Sequence, residues 1–502
     1  MRTAAPWVLL AAGLVAALRW LRVGQREHYI AWSVTRFERR WWRSSPLNAA
    51  LGSVAAGTAV AAVWWPWAAL PAGAGLLAWP LGLGLRGRTA PLAWTPRLRR
   101  LAGAVAVPLA GAAGLGLGLG SFTGGAVAAA LLAPQAVDLG LAATAPLERR
   151  LSKAFVDRAA RRLRSAGPTV VAITGSFGKT STKEYARHLL AGSLHVVASP
   201  ASFNNRLGLA RAINEGLDPG ARVLIADMGT YGPGEIAGLC RWIPPEVAVI
   251  TAVGPVHLER FGSLEAIARA KAEILEGARV AVVNWDDALV RREVEARHGL
   301  RVVRCSAAAA DVDVSVLAQG PDLVLRVAGK EAGRLPVGSA FPMNVACAAG
   351  IAIALGVPEG RIGERLDGLP RPQHRGVEGR SDSGVLIIDD TYNSNPAGAR
   401  AAVERLAAAV SGRRVVVTPG MVELGRLQAQ ENQALAAFAA SRVSDLVVVG
   451  RTNRRALLAG ARPGSARVSV VARRPEAVAW VGANLADGDG VLYENDLPDH
   501  YP

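Results

Sequence analysis

The chain has 502 residues, enough for about three domains, and a formal net charge of +17. Residues 1–165 hold 20 basic and 5 acidic side chains, so the rest of the chain is nearly neutral. This concentrated charge indicates membrane topology and anionic lipid, and we expect no nucleic-acid partner. The three cysteines lie far apart in sequence, which excludes a disulfide scaffold or a C-x-x-C metal site and indicates reduced, buried thiols.

The first 145 residues are dominated by apolar segments of about membrane-helix length. They predict roughly five transmembrane helices, at 4–21, 47–64, 67–85, 101–118 and 122–143. The connections rich in arginine are 19–43, 86–100 and 149–164, which follow the first, third and fifth predicted spans and so lie on one side. Under the positive-inside rule they are cytoplasmic. We therefore expect a multi-pass protein of the cytoplasmic membrane, with everything after residue 145 in the cytoplasm and lipid as a partner.

A glycine-rich turn follows the apolar run 170–173 and precedes a helix-like stretch. It consists of Thr174, Gly175, Ser176, Phe177, Gly178, Lys179, Thr180 and Ser181. Backbone N–H groups in such a turn, the helix N-terminus and a lysine together bind phosphate, and a threonine hydroxyl can reach Mg²⁺. The spacing G-x-x-G-K-T is two residues shorter than the usual Walker loop, so the turn predicts a phosphate loop of a different class.

Lysine is scarce in this chain, with five lysines against 52 arginines. A lysine kept against that bias suggests chemistry that a guanidinium cannot perform, and Lys179 and Lys271 are the candidates. Lys271 lies on the apolar face of a predicted helix at 263–277. It is either a lysine extending to solvent at a domain edge or a desolvated amine that adds carbon dioxide to become a carbamate ligand for Mg²⁺.

Beyond the membrane region the pattern predicts an α/β fold. Strands are predicted at 169–173, 222–226, 247–251 and 279–283, and then at 385–388, 415–418, 446–449, 468–471 and 491–493. We therefore expect an α-helical membrane region (1–145), a P-loop parallel-sheet ATPase domain (146–370) and a smaller Rossmann-like domain (371–502).

Several ordered motifs resemble the Mur ligases, ATP-dependent amide-forming enzymes of cell-wall peptide assembly, and most closely their D-alanyl-D-alanine-adding branch. They are TGSFGKTS at 174–181, SFNNRLG at 202–208, ADMGTYGPGEI at 226–236, GPVHLERFGS at 254–263, the AKAEI run around Lys271, NWDD at 284–287, IDDTYNSNP at 388–396 and MVELG at 421–425. The resemblance covers roughly residues 169–450.

The resemblance implies a set of site residues. Thr180, Asp227, His257 and a carbamylated Lys271 would hold magnesium, as two ions, while the 174–181 loop holds the ATP phosphates. Asn284 and Asn344 would contact the adenine side of ATP. Arg375 of the linker would contact a phosphate, and Asp390 would contact the ribose. The paired asparagines near the reacting groups would be Asn204 and Asn205. Taken one at a time, Asp227 suits a helix cap, His257 a partly buried histidine, and Asn393 and Asn395 a turn.

The implied reaction activates a cell-wall precursor carboxylate as an acyl phosphate, which an amino-acid or dipeptide amine then attacks. Some features depart from the family. The UDP-binding N-terminal domain is replaced by the membrane region, Asp227 stands where glutamate is usual, and Pro419 precedes Gly420 where aspartate is usual. The C-terminus from Val491 also lacks the usual Lys-Gly-Ser-Arg sequence. The amine, and the precursor itself, can therefore differ from those of the branch.

Three alternatives stay open at this point. A membrane scaffold with a degenerate ATP site is favoured by Asp227 alone. A ligase of the folate type would add glutamate or another amine. A transporter is disfavoured because Asp138 is the one acidic residue within the predicted spans.

Overall fold

The structure is a computed structural model that describes residues 3–43, 45–85, 92–200, 202–370, 377–391, 394–497 and 501. It divides into two compact units. The first comprises 1–152 with 450–452 and 497–502, and the second comprises 153–449 with 453–496.

The first unit is helical. Its helices are α1 (Ala5–Arg26), α2 (Ser33–Arg43), α3 (Pro46–Ala61), α4 (Ala69–Ala78), α5 (Pro96–Gly118), α6 (Phe122–Leu131) and the first part of α7 (Ala133–Ala166), whose residues from 153 onward belong to the second unit. Two of them, α1 with 22 residues and α5 with 23, are long and apolar enough to cross a membrane. The pair α6 and α7 is bent by 67° and counts as a third span if taken together.

The helices α3 and α4 are shorter than the sequence predicts. They have 16 and 10 residues, or about 24 and 15 Å at 1.5 Å per residue, against a hydrocarbon core of about 30 Å. The predicted segment 47–64 thus ends early at Ala61, and the segment 67–85 is α-helical only over Ala69–Ala78, with Trp64, Trp65 and Trp67 between the two helices. Two of the five predicted spans are therefore not supported by helix length.

Polar side chains in this unit satisfy helix ends. Asp138 is fully buried, and its carboxylate accepts hydrogen bonds from Thr35 N at 2.8 Å and Thr35 Oγ1 at 2.6 Å at the start of α2. The guanidinium of Arg19 donates to the carbonyls of Leu77 at 2.5 Å and Trp79 at 2.9 Å at the end of α4. Both groups satisfy backbone atoms that a helix leaves unpaired at its termini. The observed role of Asp138 is thus to cap a helix.

The second unit contains a nine-stranded sheet in the order β2-β3-β1-β4-β5-β6-β7-β8-β9. Its strands are β1 (Thr169–Thr174), β2 (Val196–Ala198), β3 (Val223–Asp227), β4 (Val247–Ile250), β5 (Val280–Asn284), β6 (Arg301–Ser306), β7 (Val314–Gln319), β8 (Asp322–Val327) and β9 (Lys330–Pro336). Its helices are α8 (Lys179–Leu190), α9 (Arg206–Gly216), α10 (Glu235–Cys240), α11 (Leu258–Phe261), α12 (Leu264–Ala272), α13 (Ala288–Glu295), α14 (Pro342–Ala354) and α15 (Glu359–Gly363).

The sheet is parallel from β2 through β7, and β8 and β9 add an antiparallel edge. The four predicted strands correspond to β1, β3, β4 and β5. These strands are buried on both faces, so they read as continuous apolar runs. The sequence analysis did not predict β2 or the strands from β6 to β9.

A six-stranded sheet in the order β10-β11-β15-β12-β13-β14 lies C-terminal to the first. Its elements are β10 (Val377–Arg380), β11 (Leu386–Asp390), α16 (Pro396–Ala409), β12 (Arg414–Thr418), α17 (Gln428–Ala440), β13 (Asp445–Val449), α18 (Arg454–Ala461), β14 (Arg467–Val471), α19 (Arg474–Asn484) and β15 (Gly490–Glu494). All strands but β10 are parallel to their neighbours, and helices α16 to α19 connect them. The predicted α/β class of the soluble part is thus confirmed.

The core between α14 and the large sheet leaves no room at Gly350. A Cβ there would lie 2.8 Å from both Cys305 Sγ and Val282 Cγ1. We expect Gly350→Val to destabilise the protein by about 1–3 kcal/mol through overpacking, seen as a lower apparent unfolding temperature. Gly360→Val, at an exposed helical glycine with open space around it, is the matched control. Equal effects of the two changes would contradict this account of the packing.

Candidate active site

The site is built on the turn between β1 and α8. The apolar strand ends at Thr174, four residues form the turn, and α8 begins at Lys179. Gly178 precedes the helix with φ +85°, in the left-handed region that glycine enters without strain. The first N–H groups of α8 have no partner within the helix and carry the positive end of its dipole. The turn thus has the backbone geometry of an anion site.

Two glycines of the turn are needed because other chain segments crowd them. A Cβ on Gly175 would collide with Thr251 Oγ1, and a Cβ on Gly178 would lie 2.6 Å from Asn344 Oδ1. Thr251 Oγ1 donates to Phe177 O at 2.5 Å. These contacts fix the turn against the end of β4 and the start of α14.

The side chains of Ser176 and Lys179 form hydrogen bonds with backbone groups of the same loop and of the segment beside it. Ser176 is buried, accepts a hydrogen bond from Gly254 N at 2.9 Å and donates to Gly254 O at 3.1 Å. Lys179 Nζ donates to Gly175 O at 2.6 Å, which places its ammonium against the loop. Thr180 is half-buried, and Ser181 is buried one residue further along α8.

Lys271 lies on α12 with its side chain 5% exposed, so its carbon chain does not extend to solvent. Burial holds the pKa of this amine well below its ordinary value of 10.5. The positive charge of Lys179 lowers the pKa further, whereas the carboxylate of Asp227 raises it. The three side chains therefore share one low-dielectric region at the carboxyl end of the large sheet.

Asp227 ends β3 and is 3% exposed. Its backbone N–H donates to Ser199 Oγ at 3.1 Å, but its buried Oδ1 has no hydrogen-bond partner among the described residues. Leaving a buried carboxylate oxygen unpaired is costly, so the position favours a bound cation.

The residues present fit a magnesium–nucleotide complex. Mg²⁺ takes oxygen ligands and is commonly held by one or two carboxylates together with substrate phosphates. Asp227 supplies the carboxylate, and Thr180 follows the lysine of the glycine cradle. In the described part of the chain, no three His, Cys, Asp or Glu side chains are grouped to hold a metal. Phosphate oxygens and a modified Lys271 would therefore have to complete the coordination.

His257, predicted as a magnesium ligand, contacts a loop of the smaller sheet through one of its two ring nitrogens. Its Nδ1 is hydrogen-bonded to Glu423 of the loop after β12, and its ring packs edge-on against Tyr231 at 4.8 Å. The sequence analysis quoted the motif that contains Glu423 but gave this residue no role.

The predicted asparagines divide into packing and capping roles. Asn204 O accepts from Gly229 N at 2.8 Å, next to the strand that carries Asp227, and Asn205 Oδ1 caps α9 through Gly208 N at 3.0 Å. Asn284 donates to Thr251 O at 2.9 Å and accepts from Asp286 N at 3.0 Å, so it ties β5 to the phosphate loop's support.

The other predicted nucleotide contacts are spread over two elements. Asn344 borders Gly178 from α14, whereas Asp390 ends β11 in the smaller sheet. Arg375 lies outside the described residues, as does Asn393. Asn395 caps α16 by accepting from Gly398 N at 3.0 Å.

Lys183 was also missed by sequence analysis. It is fully buried, and its Nζ donates to Ser199 O at 2.6 Å, while Ser199 Oγ supports Asp227. The scarcity of lysine draws attention to Lys183 and to Lys330 equally. Only the structure shows that Lys183 is buried and Lys330 is exposed.

Comparison with known proteins identifies the family. Residues 173–349 match the model of the Mur ligase middle domain, and 376–493 match that of the Mur ligase, glutamate ligase domain. A protein of Mycobacterium tuberculosis, named UDP-N-acetylmuramoyl-tripeptide–D-alanyl-D-alanine ligase, is 35% identical over 356 residues, which cover 66% of this chain and 68% of that one. The chain belongs to the Mur ligase family. It is thus an ATP-dependent ligase that forms carbon–nitrogen bonds.

Solved Mur ligases agree with this assignment. The structure of MurF from Acinetobacter baumannii has a TM-score of 0.60 at 27% identity and covers 68% of this chain and 77% of its own. MurF from Thermotoga maritima, solved in complex with ADP, has a TM-score of 0.57 at 26% identity, with 68% and 80% covered. The resemblance on which the sequence analysis relied is confirmed.

The smaller sheet carries a buried carboxyl of its own. Glu494, at the end of β15, is fully buried and accepts hydrogen bonds from the hydroxyls of Ser394 and Thr418, the latter at 2.5 Å. Burial raises the pKa of this carboxyl from 4.5 to about 7, the two hydroxyls oppose the rise, and the charge of Asp390 adds to it.

Because the folded state binds this proton more tightly than the unfolded state, Glu494 lowers stability as pH rises from 4.5 to about 7. The loss amounts to about 3 kcal/mol at most. We expect Glu494→Gln to match the wild type at pH 5 and to unfold at a higher apparent temperature at pH 8. Exposed Glu404→Gln is the control. Parallel pH profiles for wild type and Glu494→Gln would contradict the expectation.

Proposed function

We propose that this Mur ligase joins D-alanyl-D-alanine to the peptide carboxylate of a cell-wall precursor, at the inner face of the cytoplasmic membrane. The observation that carries the proposal is the shared low-dielectric region of Lys179, Asp227 and Lys271 beside an ordered phosphate loop. The relatives named for D-alanyl-D-alanine ligation support the choice of amine.

In this proposal the precursor carboxylate oxygen attacks the γ-phosphorus of ATP, and ADP leaves. The amine then attacks the acyl carbon, loses a proton and displaces inorganic phosphate. Neither step needs a protein nucleophile. Lys179 and the N–H groups at the start of α8 orient and neutralise the phosphates.

Magnesium would be held by Asp227, Thr180, His257 and a carbamate on Lys271, and it would offset the charge of the transferring phosphoryl group. The lowered pKa of Lys271 supports the carbamate, because only the neutral amine adds carbon dioxide, with release of a proton. The carboxylate of Asp227 opposes this effect in part, because its negative charge favours the ammonium form.

Lys271 gives the direct test of this chemistry. We expect detergent-purified full-length protein to release phosphate from ATP only when both a muramyl-tripeptide carboxylate and D-alanyl-D-alanine are present. Lys271→Ala and Lys271→Arg should each lower the rate by about a hundredfold or more. Neither variant can form the carbamate, whose negative charge would help to hold magnesium at the phosphoryl site. A short added carboxylate should partly restore the alanine variant, which leaves space, and not the arginine variant.

Exposed Lys330→Ala is the matched control and should retain the wild-type rate. Full activity of Lys271→Arg would rule out the carbamate. The amine panel includes glutamate, because the segment from Val491 lacks the Lys-Gly-Ser-Arg sequence that is usual in the D-alanyl-D-alanine-adding branch. A strong preference for glutamate would overturn the proposed amine.

The membrane placement rests on α1, α5 and the excess of arginine in residues 1–165. We expect the protein to stay in the membrane pellet after an alkaline carbonate wash and to be released by detergent. Protease should cleave the ligase domains in inside-out vesicles and leave them intact in right-side-out spheroplasts. Release by carbonate, or the opposite protease pattern, would refute this placement.

A further inference from the structure

The pair formed by His257 and Glu423 is conformationally unusual on both sides. His257 has φ +60° and Glu423 has φ +64°, so both non-glycine residues occupy the left-handed region. Each costs on the order of 1 kcal/mol or more, and such residues persist only where surrounding contacts determine the backbone. The two strained residues meet across the junction between the large and small sheets, since His257 follows β4 and Glu423 follows β12.

The backbone around Glu423 is held firmly from its own domain. Fully buried Asn432 accepts from Met421 N at 2.7 Å and donates to Met421 O at 2.9 Å. Asn453 Nδ2 donates to Met421 O at 2.9 Å and to Pro419 O at 3.0 Å. These amides leave the loop little freedom, so Glu423 is presented as part of a rigid element.

Residues of the large-sheet domain contact both Glu423 and the ring of His257. Glu259 N donates to Glu423 O at 3.2 Å, and Arg260 Nη2 lies 3.6 Å from Glu423 Oε1. The Arg260 guanidinium also stacks 4.9 Å from the ring centroid of Tyr231, which packs edge-on against His257. The carboxylate and the imidazole are thus each oriented by more than their mutual bond.

This contact assigns the two ring nitrogens different roles. A carboxylate accepts a hydrogen bond, so Nδ1 carries the proton and, in the neutral ring, Nε2 carries the free lone pair. No described residue forms a hydrogen bond with Nε2. Metal-binding histidines commonly donate their second N–H to a carboxylate in this way, which fixes the tautomer and the ring orientation.

We propose that Glu423 is a positioning residue for His257, whose Nδ1–H it holds so that Nε2 remains available to magnesium. Since Glu423 belongs to the small-sheet domain, the metal ligand is fully oriented only while the two domains are in contact. Metal affinity and domain contact are therefore coupled, each strengthening the other by the same factor. This inference rests on the proposed function, in which His257 is a magnesium ligand.

The test measures metal binding without turnover. Mn²⁺ is titrated by electron paramagnetic resonance into detergent-purified full-length protein that holds a non-hydrolysable ATP analogue. We expect Glu423→Ala to weaken Mn²⁺ binding by about tenfold to a hundredfold, the range found when such supporting groups are removed. Glu423→Gln keeps an acceptor of the same size without the charge, so its loss should be smaller.

The controls separate this inference from the proposed function. Glu404→Gln, an exposed carboxyl of α16, should bind Mn²⁺ like the wild type. If His257→Ala leaves Mn²⁺ affinity unchanged, His257 is not a ligand and the proposed metal site fails. If His257→Ala weakens binding while both Glu423 variants match the wild type, the positioning role alone is overturned.

A merely structural role for Glu423 is tested by the double variant. In the His257→Ala background, Glu423→Ala should cause no further loss of Mn²⁺ affinity, because its effect passes through the histidine. An additional loss as large as in the wild-type background would overturn the inference. The apparent unfolding temperature of the near-isosteric Glu423→Gln should stay at the wild-type value.

Discussion

The shape of the phosphate loop depends on the hydrogen bonds that Thr251 makes. This buried residue donates from Oγ1 to Phe177 O, accepts at its carbonyl from Asn284 and closes against Gly175. One side chain thereby joins the loop to β4 and β5. Through these contacts the sheet holds the loop in its phosphate-binding shape. Catalytic preorganisation of this kind requires that the cost of ordering be met during folding.

The charges of the site are placed where solvent cannot compensate for them. Lys271 is desolvated and repelled by Lys179, while Asp227 keeps a buried oxygen without a hydrogen-bond partner among the described residues. In this electrostatic setting a loss of positive charge at Lys271 and a gain of cation at Asp227 are both favoured. Carbamate formation and magnesium binding would supply those two changes together. The strained residues His257 and Glu423 lie where the loop after β4 contacts the loop after β12, so a second domain provides the restraint.

Much of the soluble fold could be predicted because β1, β3, β4 and β5 are buried on both faces and consist of uninterrupted apolar runs. The strands from β6 to β9 mix exposed charged residues with apolar ones, as in Arg301–Ser306 and Lys330–Pro336, so no such run marked them. The phosphate loop and Lys271 were accessible from local sequence. The partner of His257 was not, since Glu423 is 166 residues away and follows a strand of the other sheet.

The short helices α3 and α4 leave the proposed side of the membrane unchanged. Asn48, near the start of α3, accepts from Leu81 N at 3.1 Å, and Leu81 follows the end of α4. The two helices therefore form a hairpin whose ends lie together, and a hairpin contributes either two crossings or none. With α1, α5 and the bent pair of α6 and α7 as spans, the total is five or three, and both are odd. In either case the proposed topology would place the ligase domains on the side opposite the N-terminus, and the positive-inside rule would make that the cytoplasmic side.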